Sequence, residues 1–481
     1  MTEDFKFSRK ADRFIIAELI SDTKTVKDVL IELYLPQNDN EEIILICRPD
    51  SKQYVNLLGK FEFEIIGYDE FIGGEINNKY HIKKAFTKKS YSTFYTSKLE
   101  QYTIILQAYN LMIISERGTQ EEFKNTNGYF NISDCFAIAP HKMLMRKPKG
   151  EIEVLPYDKY SFLLKCGLQL YFETYYKYEE TEDSYKSLSY PFTVAEFKTE
   201  LDPENINEYL AEIDDFLLLL SFAIGKNCLC TGWSAVSNSK IVTFYRRDKV
   251  IPPKVKQRSF IDYLIEHSDL QIFLEKAYKT FTNFDDIILL RHILYPVIRR
   301  KSISIETHYL MLFAILESVI LFNKRHINYE FILNTNDFNT FKDKIKPFIK
   351  SYLPLPDDKT RRKYLYDKLP ELNRLSFDSS FELFQKDYKV DIDDLWPVIN
   401  QKDGASLTQI RNKIIHGEVF SNYHFDAISL ATIHLQILVE RIIFTLLEWD
   451  VSKTKVSKEY LANELFDDYE KIKYYQKLFN K

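Results

Sequence analysis

At 481 residues the chain exceeds what one hydrophobic core ordinarily supports, which predicts roughly three domains and excludes a single small fold. Hydrophobic residues make up 45% and charged residues 28%, which excludes a disordered or fibrous chain. The formal charge of −5 excludes a surface that draws nucleic acid over its whole extent, so any RNA or DNA contact is local.

In chain order, the opening MTEDFKFSRK is polar and charged, without the apolar core of a secretory signal. The longest uncharged apolar stretch, Phe216 to Ile224, falls well short of the roughly 20 residues a bilayer span needs. Five cysteines (Cys47, Cys135, Cys166, Cys228 and Cys230) are odd in number and make no disulfide scaffold. Cys228 and Cys230 form a lone C-x-C pair, and no second pair or nearby histidine completes the four ligands of zinc. The expectation is a cytoplasmic chain with reduced thiols, no membrane span, no metal and no cofactor.

From Phe14 to about Glu200, short runs with period-two alternation or β-branched and aromatic content are separated by polar turns. They include VLIELYL (29–35), EEIILICR (41–48), KFEFEIIG (60–67), YTIILQAY (102–109) and EIEVLPY (151–157). These predict a β-rich domain, sandwich or barrel-like, over residues 1–200. Asp202-Pro203-Glu204 supplies an N-cap, a proline at the first helical position and an acid in the first turn, opening a helix to about Ile224. A further strand is expected over Ser239–Arg246, and Ile251-Pro252-Pro253 reads as a linker, so residues 201–257 form a helix-and-strand connector.

Beyond about Ser259 apolar residues recur at spacings of three and four, predicting helices over about 259–278, 284–299, 304–323, 338–351, 380–388, 405–416 and 424–449. The expected fold class is therefore α+β and multidomain, with an all-α bundle over residues 258–481 behind the β-rich part.

Within that bundle lies Ser406-Leu407-Thr408-Gln409-Ile410-Arg411-Asn412-Lys413-Ile414-Ile415-His416-Gly417. Arg and His at this spacing arise easily by chance; Asn after the Arg, Gly after the His and the end-of-helix setting give the words their weight. Leu407, Ile410 and Ile414 share one apolar stripe, Asn412 and His416 stand one turn apart, and Arg411 lies about 7.5 Å along the axis from His416, so the three can border one groove. A neutral imidazole there can take a proton from an RNA 2′-hydroxyl while a guanidinium grips two phosphate oxygens. The alternative is a helix ending, with His near the negative helix end, Gly as its left-handed residue, and Arg411 paired with a surface acid.

These words resemble the HEPN superfamily, helical domains many of whose members are metal-independent ribonucleases with an R-N-x-x-x-H motif. Tyr309 to Ser318 (YLMLFAILES) resembles the helix before the motif helix in the ApeA-like branch, where a Glu often faces the site. A helical part behind a β-rich part is likewise similar to ApeA-type anti-phage proteins. The motif-level likeness covers about residues 300–450; over the β-rich half it is architectural only. The resemblance implies an endoribonuclease of abortive anti-phage defence with Arg411, Asn412 and His416 as catalytic residues and Glu317 as a further candidate. It also implies RNA as substrate, a homodimer through the helical domain and a phage-derived trigger acting on the amino-terminal domain. Glu317 could instead be a buried partner for Arg411 or Lys413, and the bundle could be a non-catalytic module that holds RNA, a nucleotide or a protein. His424 and His434 read as surface or packing residues. Basic runs at Arg299-Arg300-Lys301, Arg361-Arg362-Lys363 and His141 to Lys149 are candidate contacts for an RNA backbone.

Overall fold

The computed structural model describes residues 10–36, 41–69, 78–96, 99–116, 125–133, 144–146, 152–154, 160–180, 186–247, 263–298, 304–399, 404–418, 420–464 and 468–479. The chain divides into two units: residues 1–262 with 267–275, and residues 263–266 with 276–481.

In the first unit, strands β1 (Arg13–Ser21), β2 (Lys24–Tyr34), β3 (Ile43–Arg48), β4 (Glu62–Asp69), β5 (Asn78–Thr96) and β6 (Leu99–Ala108) pair antiparallel in the order β5-β4-β1-β2-β3-β6. A further β5–β6 pairing closes them into a barrel. Alternation drives this: Ile15, Ala17 and Leu19 of β1 face inward, buried, while Phe14 and Ile16 face out. With Ile31, Leu33, Leu45, Ile65 and Ile82 they form one apolar interior. Helix α1 (Ser51–Leu57) follows β3, opened by a capping box in which Asp50 and Gln53 bond each other's backbone amides.

The sheet continues from β5 through β7 (Asn110–Glu116), while β8 (Thr126–Ile132), the hairpin β9–β10 (Leu144–Arg146, Ile152–Val154), β11 (Tyr160–Leu163), β12 (Gln169–Glu180), β13 (Lys186–Thr199), β14 (Cys230–Val236) and β15 (Lys240–Arg246) follow in sequence. Apart from the separate hairpin, they add outward from β7 as β15-β14-β8-β13-β12-β11. The expected helix after Asp202 divides: Asp202 caps as anticipated, but residues Pro203–Tyr209 form a 3-10 turn before α2 (Leu210–Ile224) begins. From Ile213 on, α2 is buried nearly all round, as its LLLL run demands. The strand expected at Ser239–Arg246 is β15, and its pairing with β7 and β14 places it in the main sheet.

Beyond α3 (Leu270–Thr282), the second unit consists of α4 (Ile287–Ile298), α5 (Ile305–His326), α6 (Thr335–Tyr352), α7 (Lys359–Lys368), α8 (Phe377–Tyr388), α9 (Leu407–Ile415), α10 (Asn422–Leu446), α11 (Lys458–Glu464) and α12 (Asp468–Leu478). Helix α5 packs against α4, α8, α9 and α10, and α10 packs also against α9 and α12. Three helix starts are corrected. The helix placed over 259–278 begins only at Leu270, with residues 263–269 in turns and one isolated bridge and 259–262 outside the described residues. Helix α6 starts at Thr335 because Asn334 accepts from the Asp337 amide, and α8 starts at Phe377 because Ser376 does the same for Ser379. Helix α5 and the stretch from His424 to Leu446 are each long and apolar enough, by length and composition, to cross a membrane. The second of these is largely buried within the unit, and the two pack against each other, as core helices do.

Candidate functional site

Helix α9 carries the R-N-x-x-x-H words and is fixed at its start by several independent contacts. The Ser406 hydroxyl accepts from the Gln409 amide at 3.2 Å, and the Gln409 side chain accepts from the Ser406 amide at 2.9 Å. The amides of Leu407 and Thr408 donate to the carbonyls of Pro397 and Val398 at 2.9 and 3.0 Å. Trp396, buried just upstream, donates its indole N–H to the Ala405 carbonyl at 2.8 Å. The loop before it is pinned by Arg441, 1% exposed, which meets both Asp394 carboxylate oxygens at 2.7 and 2.6 Å. The same guanidinium donates to the carbonyls of Asp391 and Val456, so its buried charge is neutralised and four of its five donors are used.

Of the expected apolar stripe, Leu407 and Ile410 are fully buried and Ile414 half-buried. Tyr309 of α5 donates its hydroxyl to the Leu407 carbonyl at 2.7 Å; burial holds this phenol well above its ordinary range, so it stays protonated and donating. Tyr309, Phe313 and Glu317 succeed one another at intervals of four along α5, one face presented toward α9.

That face receives Arg411. Its Nη2 donates to Glu317 Oε1 at 3.0 Å, its Nη1 donates to Asn412 Oδ1 at 3.1 Å, and its guanidinium carbon stands 5.7 Å from the Phe313 ring centroid. The Arg411 and Glu317 side chains are 30% and 40% exposed, so this ion pair stands at the surface and a ligand can reach it from solvent. Arg411, Asn412 and Glu317 thus come together, with Glu317 a half-buried partner of Arg411.

His416 takes a different position. It is the residue that ends α9, its amide donating to the Asn412 carbonyl at 2.9 Å, while its side chain is exposed and makes no hydrogen bond among the described residues. Gly417, at φ +73°, donates to Ile414 and the Glu418 amide donates to Lys413, the paired bonds that close a helix over a left-handed residue. The imidazole therefore stands one turn beyond Asn412, at a helix end closed by backbone hydrogen bonds. Lys413, flanking it, pairs with Glu418 at 2.9 Å.

Phe313 and Tyr309 were not singled out from the sequence as site residues; their four-residue spacing ahead of Glu317 is the signal that could have found them. His424 stacks among Phe420 and Phe479, and His434 is buried in α10, so both pack. Arg361-Arg362-Lys363 lies on α7, whereas Arg299-Arg300-Lys301 falls outside the described residues, as does the run from His141 to Lys149 apart from the backbone of Leu144–Arg146. Among the described residues no three His, Cys, Asp or Glu side chains gather as a metal site would require. No family model, curated protein or solved structure matches this chain.

Proposed function

We propose that this chain is a metal-independent endoribonuclease of HEPN type, acting in the cytoplasm in abortive anti-phage defence. The observation that supports it is the Arg411 cluster itself: a partly exposed guanidinium, oriented by Glu317, Asn412 and Phe313, on the same helix that His416 ends five residues later with an exposed imidazole that makes no hydrogen bond among the described residues. In the reaction, His416 takes the proton of a ribose 2′-hydroxyl, whose oxygen attacks the adjacent phosphorus. The new O2′–P bond replaces the P–O5′ bond, and the departing 5′-oxygen takes up a proton. Arg411 exchanges its contact with Glu317 for the phosphate, whose charge grows in the transition state, and a planar fork holds two of its oxygens at once. Asn412 keeps the guanidinium in plane. Pairing of two copies through the helical unit, and restraint of the nuclease by the β-rich unit until a phage product arrives, belong to the same proposal.

A second reading has its own support. Glu317 and Asn412 already occupy the Arg411 fork, and His416-Gly417 completes a helix end, so the same geometry suits a non-catalytic module that holds RNA, a nucleotide or a protein. Matched RNA and DNA oligonucleotides incubated with the purified protein, with and without EDTA, separate the two. The enzyme reading requires RNA cleavage that survives chelation and leaves 2′,3′-cyclic phosphate and 5′-hydroxyl ends, with DNA intact for want of the 2′-hydroxyl. Cleavage of DNA, or activity that disappears with EDTA and returns with Mg²⁺, overturns the mechanism, and no cleavage either by the protein alone or after addition of an extract of phage-infected cells, which supplies the trigger, favours the binding module.

A further inference from the structure

Between α5 and α8 the chain leaves the bundle as a helical arm. Neither α6 nor α7 buries a single residue. The arm is nonetheless built: its root is closed where Phe331 pairs with Arg374 and where buried Asn373 bonds both the amide and the carbonyl of Leu333, at 2.8 and 3.0 Å. Farther out, Tyr366 donates to the Lys346 carbonyl at 3.3 Å and Arg362 to the Leu355 carbonyl at 3.1 Å, tying the two helices and their connection together.

Its surface differs in charge from the rest of the chain. Residues 335–368 hold nine Lys and Arg against five Asp and Glu, a surplus of four positive charges in a chain whose formal balance is −5. Lys344, Lys350, Lys359 and Lys363 are exposed and form no ion pair among the described residues. Large aromatic rings stand between these cations: Phe348, Tyr352 and Tyr364 are 67%, 79% and 65% exposed. On α6, Lys344, Phe348 and Tyr352 follow one another at four-residue steps, about 6 Å apart along one face. On α7, Arg361, Tyr364 and Lys368 share a face at steps of three and four. A helix that lies on a membrane segregates its cations from its apolar face. Helix α7 does not, with Arg361, Tyr364 and Lys368 on one face, and on α6 Lys344 adjoins the exposed Phe348 and Tyr352. Cations beside exposed rings match a single strand, whose phosphates take the cations and whose unstacked bases take the rings.

We propose that this arm is a binding platform for single-stranded RNA. Its role as the substrate holder rests on the ribonuclease reading above: α5 carries Glu317 and runs on nine residues, about 14 Å, to end at the arm's root.

The test uses the full chain with His416→Ala, so that substrate survives, and a fluorescent uridine-rich RNA of about 20 nucleotides, long enough to span at least one site of the usual size. Two arm variants are compared with it, one with Lys344, Lys350, Lys359 and Lys363 all changed to Gln, the other Phe348→Ala with Tyr364→Ala. All six positions are exposed, and circular dichroism checks that each variant folds. The lysine variant should lower the slope of log affinity against log salt by about 3, at roughly 0.7 for each phosphate no longer neutralised. Removal of both rings should weaken binding at least tenfold. Parent-like affinity in both variants overturns the proposal, as does equal affinity for a duplex RNA, whose bases offer no free face. So does a loss confined to vesicles of phosphatidylserine. Failure of the enzyme reading is separable: arm-dependent RNA binding by a parent protein that cleaves nothing leaves the platform standing, and cleavage by a parent whose arm variants bind RNA equally well removes the platform alone.

Discussion

His416→Ala separates chemistry from stability at the candidate site. The bonds that end α9 are made by backbone atoms: the His416 amide to Asn412, the Gly417 amide to Ile414 and the Glu418 amide to Lys413. None involves the imidazole, which is exposed and makes no hydrogen bond among the described residues. Truncating such a side chain ordinarily changes stability by within about 0.5 kcal/mol, and for a unit of roughly 200 residues that moves the midpoint of melting by no more than about 2 °C. Losing a general base costs about 10² to 10⁴ in rate, equivalent to roughly 2.7–5.4 kcal/mol of barrier. The two scales do not overlap, so a melting curve and an initial rate on labelled RNA, taken on one preparation, assign the residue. The expected result is an unchanged melt with at least a hundredfold slower cleavage, and loss of toxicity in cells. Cleavage at the parent rate refutes the catalytic role; a melt lowered by about 10 °C shows instead that the imidazole holds the fold.

Arg411→Lys keeps the charge but loses the fork and the flat face over Phe313, so its cleavage rate should fall to within tenfold of Arg411→Ala; full activity would reduce Arg411 to a source of positive field. Glu317→Gln should change stability by less than about 1 kcal/mol, because the pair it forms is exposed, and a larger loss in urea unfolding would show that this ion pair carries the α5–α9 contact. Asn373→Ala removes two hydrogen bonds to Leu333 at the arm's root and should cost about 1–3 kcal/mol in the same measurement, a parent-like midpoint showing that the root is held by Phe331 and Arg374 alone.

The runs at 29–35, 41–48, 60–67 and 102–109 each fall on a strand, because alternation is a local property that one buried face imposes. Barrel closure was not legible, since it depends on β6 pairing with both β3 and β5, a matter of register between distant segments. Helix α7 is illegible for another reason: its only apolar residues, Tyr364, Leu365 and Tyr366, are consecutive and make no stripe at spacings of three and four. At the site, Arg411 and His416 stand out from their neighbours, but nothing near Glu317 in the chain says that it meets a residue 94 positions away. The family likeness puts a Glu at the site and the non-catalytic alternative pairs it with Arg411 or Lys413, while neither assigns a role to Phe313, which supplies the ring.

The order in which the sheet's strands leave the ribosome has a consequence for the nascent chain. All six barrel strands have been synthesised by Ala108, so the barrel can close early. β8 cannot do the same: both its neighbours, β13 and β14, come later, the second ending at Val236. At about 5–20 residues per second, β8 waits on the order of 3–13 s for β13, which ends at Thr199, and 5–20 s for β14, with the backbone amides and carbonyls of the waiting edge unmatched. During that interval it is an open template for any extended segment nearby, and this is the stage of biosynthesis at which a holding chaperone has most to protect.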